Sequence, residues 1–513
     1  MDTEKAELIL YNANVLTMDL SLPRAEMVAM RDGRVLALGR NSDLNDRRSG
    51  RTELIDCRGG TVIPGFNDAH MHIFSLISSL LEIDCSPASV SSITDIQRLV
   101  SERAMKTPHE KWIKATGYNE FYLEERRHPT RWDLDKAAPA HPVRLSHRTR
   151  HACVLNSRGL SLAGINAETP DLPGGLIERD TETGEPTGLI FGMNARISGN
   201  VVPSLTDDEL DDGFRNASEL LLSYGITSIQ DATAHNGLSQ WQQLKRVKER
   251  GLFCPRVSMM SGFDALELIG SFQPSADSGL RPGPVKIIID EITGSLNPTK
   301  PMLNSMVLSV HQAGIQVALH AVEDSTVEAA IEAIESTLQA QPRRDHRHRI
   351  EHCSECPGPL MQRLKETGSL VVTQPAFIYF NGERYLSRVD RGKLPWLYRT
   401  GALVRSGVEL AASSDAPVIP VNPMLGVYAA VSRAAMNGEK IGEDEALSPE
   451  QALRVYTMGG AYASFEESTK GSITPGKLAD LVLLSADPTA IYPDEIRDIR
   501  VEKTIMNGRV VWG

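Results

Sequence analysis

Short apolar runs rich in β-branched residues recur through the middle of the chain and alternate with stretches of helical periodicity. Helix-like segments such as residues 208–224, 324–339 and 357–366 separate the runs. Strands that alternate with helices form parallel sheets, and eight such units predict a closed (β/α)8 barrel of the TIM type. The predicted strands lie within residues 66–72, 225–233, 256–261, 284–290, 314–321, 349–353, 369–375 and 408–417.

The two ends of the chain carry a different pattern. Residues 26–39 and 502–512 each contain two short strand-like runs, joined by Asp32-Gly33 in one case and by Asn507-Gly508 in the other. These dipeptides favour type I′ hairpins, because both central residues of that turn need positive φ. The ends therefore resemble two halves of one small β domain, with the rest of the chain inserted between them.

These patterns predict an α/β fold with three parts. Residues 1–64 and 471–513 are expected to form a composite β-sandwich domain, and residues 65–470 the barrel. The stretch between the first and second barrel strands is too long for a simple βα connection. We therefore expect residues 86–205 to form a cap inserted after the first strand.

Composition and charge narrow the class of protein. The chain has 513 residues, with 54 Lys and Arg against 66 Asp and Glu, so its net charge is −12. It lacks the broad basic surface of a nucleic-acid binder, and it is a poor match for an anionic membrane. No apolar run approaches the ~18 residues of a membrane helix. We expect a small-molecule substrate, no nucleic acid and no membrane.

The N-terminus and the cysteines indicate a compartment. The first residues, MDTEKAELIL, carry acids where a signal peptide carries bases. The six cysteines are few for the length, which suits a reducing cytosol. We expect a cytoplasmic protein in which Cys353 and Cys356, a Cys-x-x-Cys pair, are structural. A homodimer or larger oligomer fits the usual behaviour of soluble proteins.

Residues that can bind a metal follow several of the predicted strands. His70 and His72 end the first strand, and residues two apart on a strand face the same side. His320, His352 and Asp415 close later runs in order. Each residue alone has an ordinary structural explanation, but barrel active sites form at these strand ends. Imidazole and carboxylate ligands suit Zn²⁺, and Fe or Mn less specifically.

Lys286 opens an apolar run, and a buried ammonium needs a partner. It could be carbamylated by CO₂ and bridge two metals. Alternatively, it lies at the solvated start of its strand or pairs with Asp290 or Glu291. The strand pattern alone favours the second interpretation.

Several segments resemble the amidohydrolase superfamily. Residues 60–72, GTVIPGFNDAHMH, look like its signature, and residues 471–481, GSITPGKLADL, resemble its return into the β-sandwich. Residues 413–418, SSDAPV, are similar to the amidohydrolase 3 branch, which includes N-substituted formamide deformylases. So are residues 154–157 after His151, and Gln374-Pro375. The resemblance covers nearly the whole chain.

The resemblance implies roles for these residues. His70, His72 and Asp415 would bind one metal, and carbamylated Lys286 would bridge to a second metal held by His320 and His352. A metal-bound hydroxide would attack the substrate while Asp415 moves the proton. The expected catalytic residues are Asp415, His352 and His151, and the expected substrate contacts are His151, Tyr118, Glu323 and Gln374.

The sequence also departs from the branch. The order His320-Ala321-Val322-Glu323 resembles the adenosine-deaminase-like branch, where the glutamate handles protons beside a single metal. Helix dipoles favour acids such as Glu323 and Asp324 at a first turn, and we prefer that explanation. Asp290-Glu291 replaces the Asp-Gly order common in the branch, which leaves the substrate open.

The leading hypothesis is a metal-dependent hydrolase of a non-peptide C–N bond in an amide, an N-substituted formamide or a cyclic amide. One alternative is a mononuclear deaminase of a heterocycle, with Glu323 as proton donor. Another is an inactive binding or scaffold member of the superfamily. Two ions per chain would favour the first hypothesis, one ion the second, and none the third. Fold alone cannot choose among them.

Overall fold

The computed structural model describes residues 5–171, 175–192, 197, 201–273, 279–291 and 295–513. Short parts of the predicted sandwich, cap and barrel therefore lie outside the described residues. The chain divides into two compact units. The first comprises Met1–His72, Ser218–Asp415 and Ile419–Gly513, and the second comprises Ile73–Ala217 and Ala416–Val418.

A parallel barrel forms the centre of the first unit. Its strands are hydrogen-bonded in chain order from the first to the eighth, which nearly closes the barrel and confirms the predicted fold class. All eight predicted strands are present. They are Phe66–Met71, Ile226–Asp231, Arg256–Gly262, Leu280–Ile288, Val317–Ala321, Arg349–His352, Leu370–Thr373 and Leu410–Ala412.

The strand register brings the carboxyl ends of the strands to one end of the barrel. Ile288 pairs with His320, and His320 pairs with Glu351 on the next strand. A backbone hydrogen bond of 2.8 Å from the Asp415 N–H to the His70 carbonyl joins the eighth strand's end to the first. The first and last predicted ligands therefore meet where the barrel closes.

Helices connect the strands. The α-helices that follow the second barrel strand are Leu238–Glu249, Lys300–Gln312, Asp324–Ala340, Gly358–Thr367, Ala376–Arg388, Thr400–Ser406, Pro423–Ser432, Pro449–Tyr456 and Met458–Ala463. Helix Asp207–Ser223 precedes the second barrel strand, and helix Leu44–Arg47 lies near the N-terminus. The 3₁₀ helices are Asn41–Asp43, Phe263–Ser271, Leu394–Trp396, Glu443–Glu445 and Pro493–Asp498.

Strands from both chain ends share one six-stranded sheet. Leu481–Leu484 lies antiparallel to Thr61–Pro64, and both Asp32-Gly33 and Asn507-Gly508 have positive φ, as the hairpin pattern predicts. The sheet order is Arg509–Trp512, Val501–Met506, Leu481–Leu484, Thr61–Pro64, Asn14–Leu16 and Arg24–Ala25. A four-stranded sheet has the order Arg34–Gly39, Met27–Arg31, Leu8–Tyr11 and Glu53–Asp56.

The second unit has its own sheet and core. Ile113, Val143, Leu145 and Leu189 belong to one buried cluster. The sheet order is Leu176–Arg179, Pro186–Phe191, Ala152–Leu155, Val143–His147, Ile113–Tyr118 and Ile83–Asp84. Its helices include Ile73–Leu81, Ile93–Ala104, Arg131–Ala137 and Ser157–Ala163.

Candidate metal centre

His70, His72 and Asp415 form a compact group of possible metal ligands. The Oδ1 atom of Asp415 lies 3.2 Å from the Nε2 atom of His72 and 3.5 Å from the Nε2 atom of His70. One ligand atom from each of the three residues lies within 4.8 Å of the others. His70 and Asp415 are buried, and His72 is half-buried. The three side chains can therefore bind one ion.

His320 and His352 extend this group. Their ring centroids are 4.4 Å apart, and the His352 ring is 4.8 Å from the His70 ring. His352 and Asp415 both have positive φ, at 69° and 57°. Left-handed backbone is uncommon for such residues and often marks functional sites. The four histidines and Asp415 thus form one continuous cluster.

Lys286 is buried within the barrel, with 3% of its surface exposed. The expectation that it lies at the solvated start of its strand is wrong, because the strand begins six residues earlier, at Leu280. Burial lowers the pKa of Lys286 to about 8, although the carboxylates of Glu351 and Asp415 oppose the shift. The pKa of this amine therefore lies closer to neutral pH than that of an ordinary lysine.

Two buried atoms of the cluster lack partners within the described part of the chain. The Nζ atom of Lys286 and the Nε2 atom of His352 make no hydrogen bond there. Buried polar atoms are ordinarily paired. These two atoms, beside converging imidazole and carboxylate groups, fit a bound cation with a carbamate on Lys286.

The second ring nitrogen of three of these histidines has an acceptor. The Nδ1 atom of His70 contacts a Glu351 carboxylate oxygen. The Nδ1 atom of His72 lies 3.0 Å from the Thr233 hydroxyl, and that of His352 lies 2.9 Å from the Gln374 amide oxygen. For His70 and His352, a hydrogen on Nδ1 leaves the lone pair of Nε2 available to a metal, the arrangement found around metal-ligating histidines.

The protonation states also suit metal binding. Burial lowers the pKa of His70 and of His352, which favours neutral imidazole. Burial by itself would raise the pKa of Asp415, but the His72 hydrogen bond and the neighbouring rings outweigh it and bring the pKa to about 2. Metal ligands must be deprotonated, and these groups already are at neutral pH.

Gln374 and Glu323 lie in different settings. Gln374 is fully buried, and its amide nitrogen donates to the Ser413 hydroxyl at 3.0 Å while its oxygen faces His352. Glu323 is exposed and directly precedes helix Asp324–Ala340. Partial desolvation and the carboxylates of Glu355 and Asp290 raise the pKa of Glu323. Contact of Gln374 and Glu323 with substrate stays a prediction.

Tyr118 and His151 belong to the second unit. Tyr118 is fully buried there, and its hydroxyl lies 3.0 Å from the Nδ1 atom of His128. This burial favours a packing role. His151 is exposed. The roles of both residues toward substrate stay predictions.

The sequence analysis did not identify the residues that contact the predicted ligands from the side away from the metal. Glu351 contacts His70, and Arg349 pairs with Glu351. Thr233 contacts His72 and donates to the Asp231 carboxylate at 2.7 Å. One signal was available. Arg349 and Glu351 are two charged residues at alternate positions of a buried strand, immediately before His352.

The chain matches the amidohydrolase family over residues 53–512 and belongs to that family. Fold and site thus define a hydrolytic enzyme of a family that implies a divalent metal. The chain is 28% identical to the protein YtcJ of Bacillus subtilis, covering 95% of this chain and 96% of that protein. It is 27% identical to an N-substituted formamide deformylase of Arthrobacter pascens, covering 99% and 98%.

A solved structure has the same fold. A metal-dependent hydrolase from Pyrococcus horikoshii superposes with a TM-score of 0.75 at 23% identity, covering 95% of this chain and 99% of that one. In the part of the chain that the structure describes, no helix combines the length and apolar character needed to cross a bilayer.

Proposed function

We propose that this enzyme hydrolyses a non-peptide C–N bond in an N-substituted formamide, another amide or a cyclic amide. The observation that carries the proposal is the convergence of His70, His72 and Asp415 beside His320, His352 and Lys286. The Nζ atom of Lys286 has no hydrogen-bond partner among the residues that the structure describes. The likeness to a formamide deformylase over almost the whole of both chains supports this bond type.

His70, His72 and Asp415 would hold one divalent ion, with Zn²⁺ preferred over Fe or Mn. His320 and His352 would hold a second, and a carbamate on Lys286 would join the two. Such ions activate water at neutral pH and polarise a carbonyl group. CO₂ reacts with a neutral amine, and the lowered pKa of Lys286 increases the neutral fraction.

Asp415 is the proton carrier in this proposal. Its carboxylate is ionised at neutral pH, and its Oδ1 atom lies beside the Nε2 atoms of both first-strand histidines. There it accepts the proton released by the attacking water. It then delivers that proton to the departing nitrogen, acting as general base and then as general acid. The exposed His151 would donate a hydrogen bond to the developing oxyanion.

The compartment belongs to the same proposal. All six cysteines lie among the described residues and are free thiols. Free cysteines are typical of a reducing compartment. We therefore place the enzyme in the cytoplasm. We also propose that it acts on a small molecule and that it forms a homodimer or larger oligomer.

Metal stoichiometry tests the ligand set. Purified protein supplied with Zn²⁺ and ¹³C-bicarbonate should hold about two ions per chain and give a carbamate ¹³C signal that Lys286→Met removes. One ion per chain, with no carbamate signal, would instead support the mononuclear deaminase. A chain that takes up no metal would support the scaffold interpretation.

Turnover tests the reaction. Loaded enzyme should release amine from a panel of N-substituted formamides and amides. Asp415→Asn should keep the metal yet lose roughly 10²–10⁴-fold in kcat, the usual contribution of general acid–base catalysis. Near-normal turnover in that variant would exclude the proton-carrier role, and a fully loaded wild type inactive on the whole panel would contradict the bond type.

A further inference from the structure

A charged pair occupies the barrel interior beneath the metal centre. Arg349 and Glu351 are both fully buried at alternate, inward positions of the sixth strand. Two guanidinium nitrogens meet the two carboxylate oxygens, and the Nη2–Oε2 contact is 3.2 Å. Branched apolar side chains usually fill this space in such barrels. Because desolvation offsets the attraction within a buried pair, stability alone is a weak reason for its presence.

The carboxylate of this pair reaches a metal ligand. The Oε2 atom of Glu351, which also accepts from Arg349, contacts the Nδ1 atom of His70. The carboxylate accepts the Nδ1 hydrogen, so the Nε2 atom keeps its lone pair on the side of Asp415. Among the described residues, the partners of His72 and His352 at Nδ1 are neutral, namely a hydroxyl and an amide.

Arg349 also holds the backbone of the first strand. Its Nη2 atom donates to the carbonyl of Ala69, the residue before His70, at 2.7 Å. Its Nη1 atom donates to the Gln230 amide oxygen at 2.5 Å, and the Gln230 nitrogen donates to the Gly460 carbonyl at 2.8 Å. The guanidinium therefore fixes the peptide next to His70 and the carboxylate that fixes its ring.

We propose that Arg349 and Glu351 act together as a clamp that positions His70, and that this clamp sets the affinity of the centre for a divalent ion. The inference rests on the metal centre of the proposed function. Neither residue touches substrate in this proposal, and both act through His70. Removing an outer partner of a ligating histidine typically lowers metal affinity about 10- to 100-fold.

The test measures metal binding by the full-length protein without substrate. Metal-free protein is titrated with Zn²⁺ against a competing chelator, and Co²⁺ is used to record the visible ligand-field spectrum. Glu351→Gln keeps the shape and loses the charge. The double variant Arg349→Met/Glu351→Leu removes both charges and leaves no unpaired ion in the barrel.

A matched control is available elsewhere in the same unit. Asp480 pairs with Arg256 at 2.6 Å and is also buried. Asp480→Asn breaks a comparable ion pair that contacts none of the predicted ligands. We expect Zn²⁺ affinity to fall about 10- to 100-fold in Glu351→Gln and in the double variant, with an altered Co²⁺ spectrum. Glu351→Asp should recover part of the loss, and Asp480→Asn should bind like the wild type.

Three outcomes would overturn the clamp. The first is a folded double variant with wild-type Zn²⁺ affinity and Co²⁺ spectrum. The second is an equal loss of affinity in Asp480→Asn, since the loss would then follow from lowered stability. The third is failure of both clamp variants to fold even with Zn²⁺ present, which would make the pair structural. Failure of the proposed function looks different, because there the wild type binds no metal or hydrolyses none of the amides.

Discussion

At the scale of single residues, the contact at one ring nitrogen decides what a histidine of this protein can do. In the metal centre, acceptors at Nδ1 leave Nε2 of His70 and His352 facing the cluster. Elsewhere in the barrel, both nitrogens of His311 and His348 are used. His348 lies 2.8 Å from the Nδ1 atom of His311, and His311 lies 2.9 Å from the Gln341 carbonyl. These two rings are structural.

The His348 ring makes stability depend on pH. Its Nδ1 atom accepts from the Val317 N–H at 3.0 Å, which requires that nitrogen to be unprotonated. Burial, followed by the charges of His346, Arg343 and His311, lowers the pKa of His348 to about 2. An unfolded histidine titrates near 6.5, so between these values the unfolded chain binds more protons. Stability therefore falls as pH drops below about 6.5, by at most about 1.4 kcal/mol per pH unit for this group.

We predict that His348→Asn reduces this pH dependence, because its side-chain oxygen can accept from Val317 without titrating. Urea unfolding of metal-free protein at pH 7.5 and 5.5 measures the effect. The exposed His109 provides the control, and His109→Asn should keep the wild-type slope. Equal slopes in wild type and His348→Asn would rule out His348 as a source of acid sensitivity.

At the scale of elements, apolar periodicity located the barrel strands. Where the observed bounds of a strand differ from the predicted ones, the difference has a physical cause. The sequence predicted that the fourth strand begins at residue 284, because Pro282 and Gly283 are poor strand residues. In the structure, the strand begins at Leu280. The third strand nonetheless pairs with Leu280 and Pro282, and the register shifts just beyond them. A neighbouring strand thus extended an element that local propensity had shortened.

Gly262, at the end of the third strand, permits a close backbone contact. A Cβ atom there would lie 2.2 Å from the Ala234 carbonyl oxygen, and the φ of Gly262 is an ordinary −66°. The atoms nearest to this Cβ are backbone atoms of Ala234 and Asn236, which cannot move aside easily. We predict that Gly262→Ala destabilises the protein by about 1–3 kcal/mol, as overpacking does, measured by urea unfolding.

Gly358 is the matched control for this substitution. It lies in helix Gly358–Thr367, and a Cβ atom there would meet nothing within 4 Å. Gly358→Ala should be neutral or stabilise by up to about 1 kcal/mol, since alanine restricts the unfolded chain. If the two alanine variants were equally stable, the steric argument for Gly262 would be wrong.

At the scale of the whole molecule, residues far apart in sequence complete one six-stranded sheet. Strand Leu481–Leu484 lies between Thr61–Pro64 and Val501–Met506. Leu481 and Ile505 share a core with Leu10, Val28 and Val62. The face of the N-terminal strands that carries Leu10 and Val28 therefore cannot be buried without the C-terminal strands.

We predict that a chain ending after Asp480 loses cooperative thermal unfolding or accumulates in the insoluble fraction, because this core would be open. A chain ending after Gly508 is the control. It lacks only Gly513 and the edge strand Arg509–Trp512, whose residues are half-buried or exposed. It should remain folded with a modestly lower Tm. Equal behaviour of the two truncations would show that the C-terminal strands contribute little.

The sequence by itself determined the order of the barrel strands, the hairpins at both ends and which side chains carry atoms that can ligate a metal. These follow from local periodicity, turn chemistry and side-chain type. Only the tertiary structure decided that Lys286 is buried with no hydrogen-bond partner in the described part of the chain, that Tyr118 is packed inside the second unit, and that Arg349 and Glu351 hold His70. Those facts depend on the register between strands and on which face each side chain takes, and neither is encoded in any single segment.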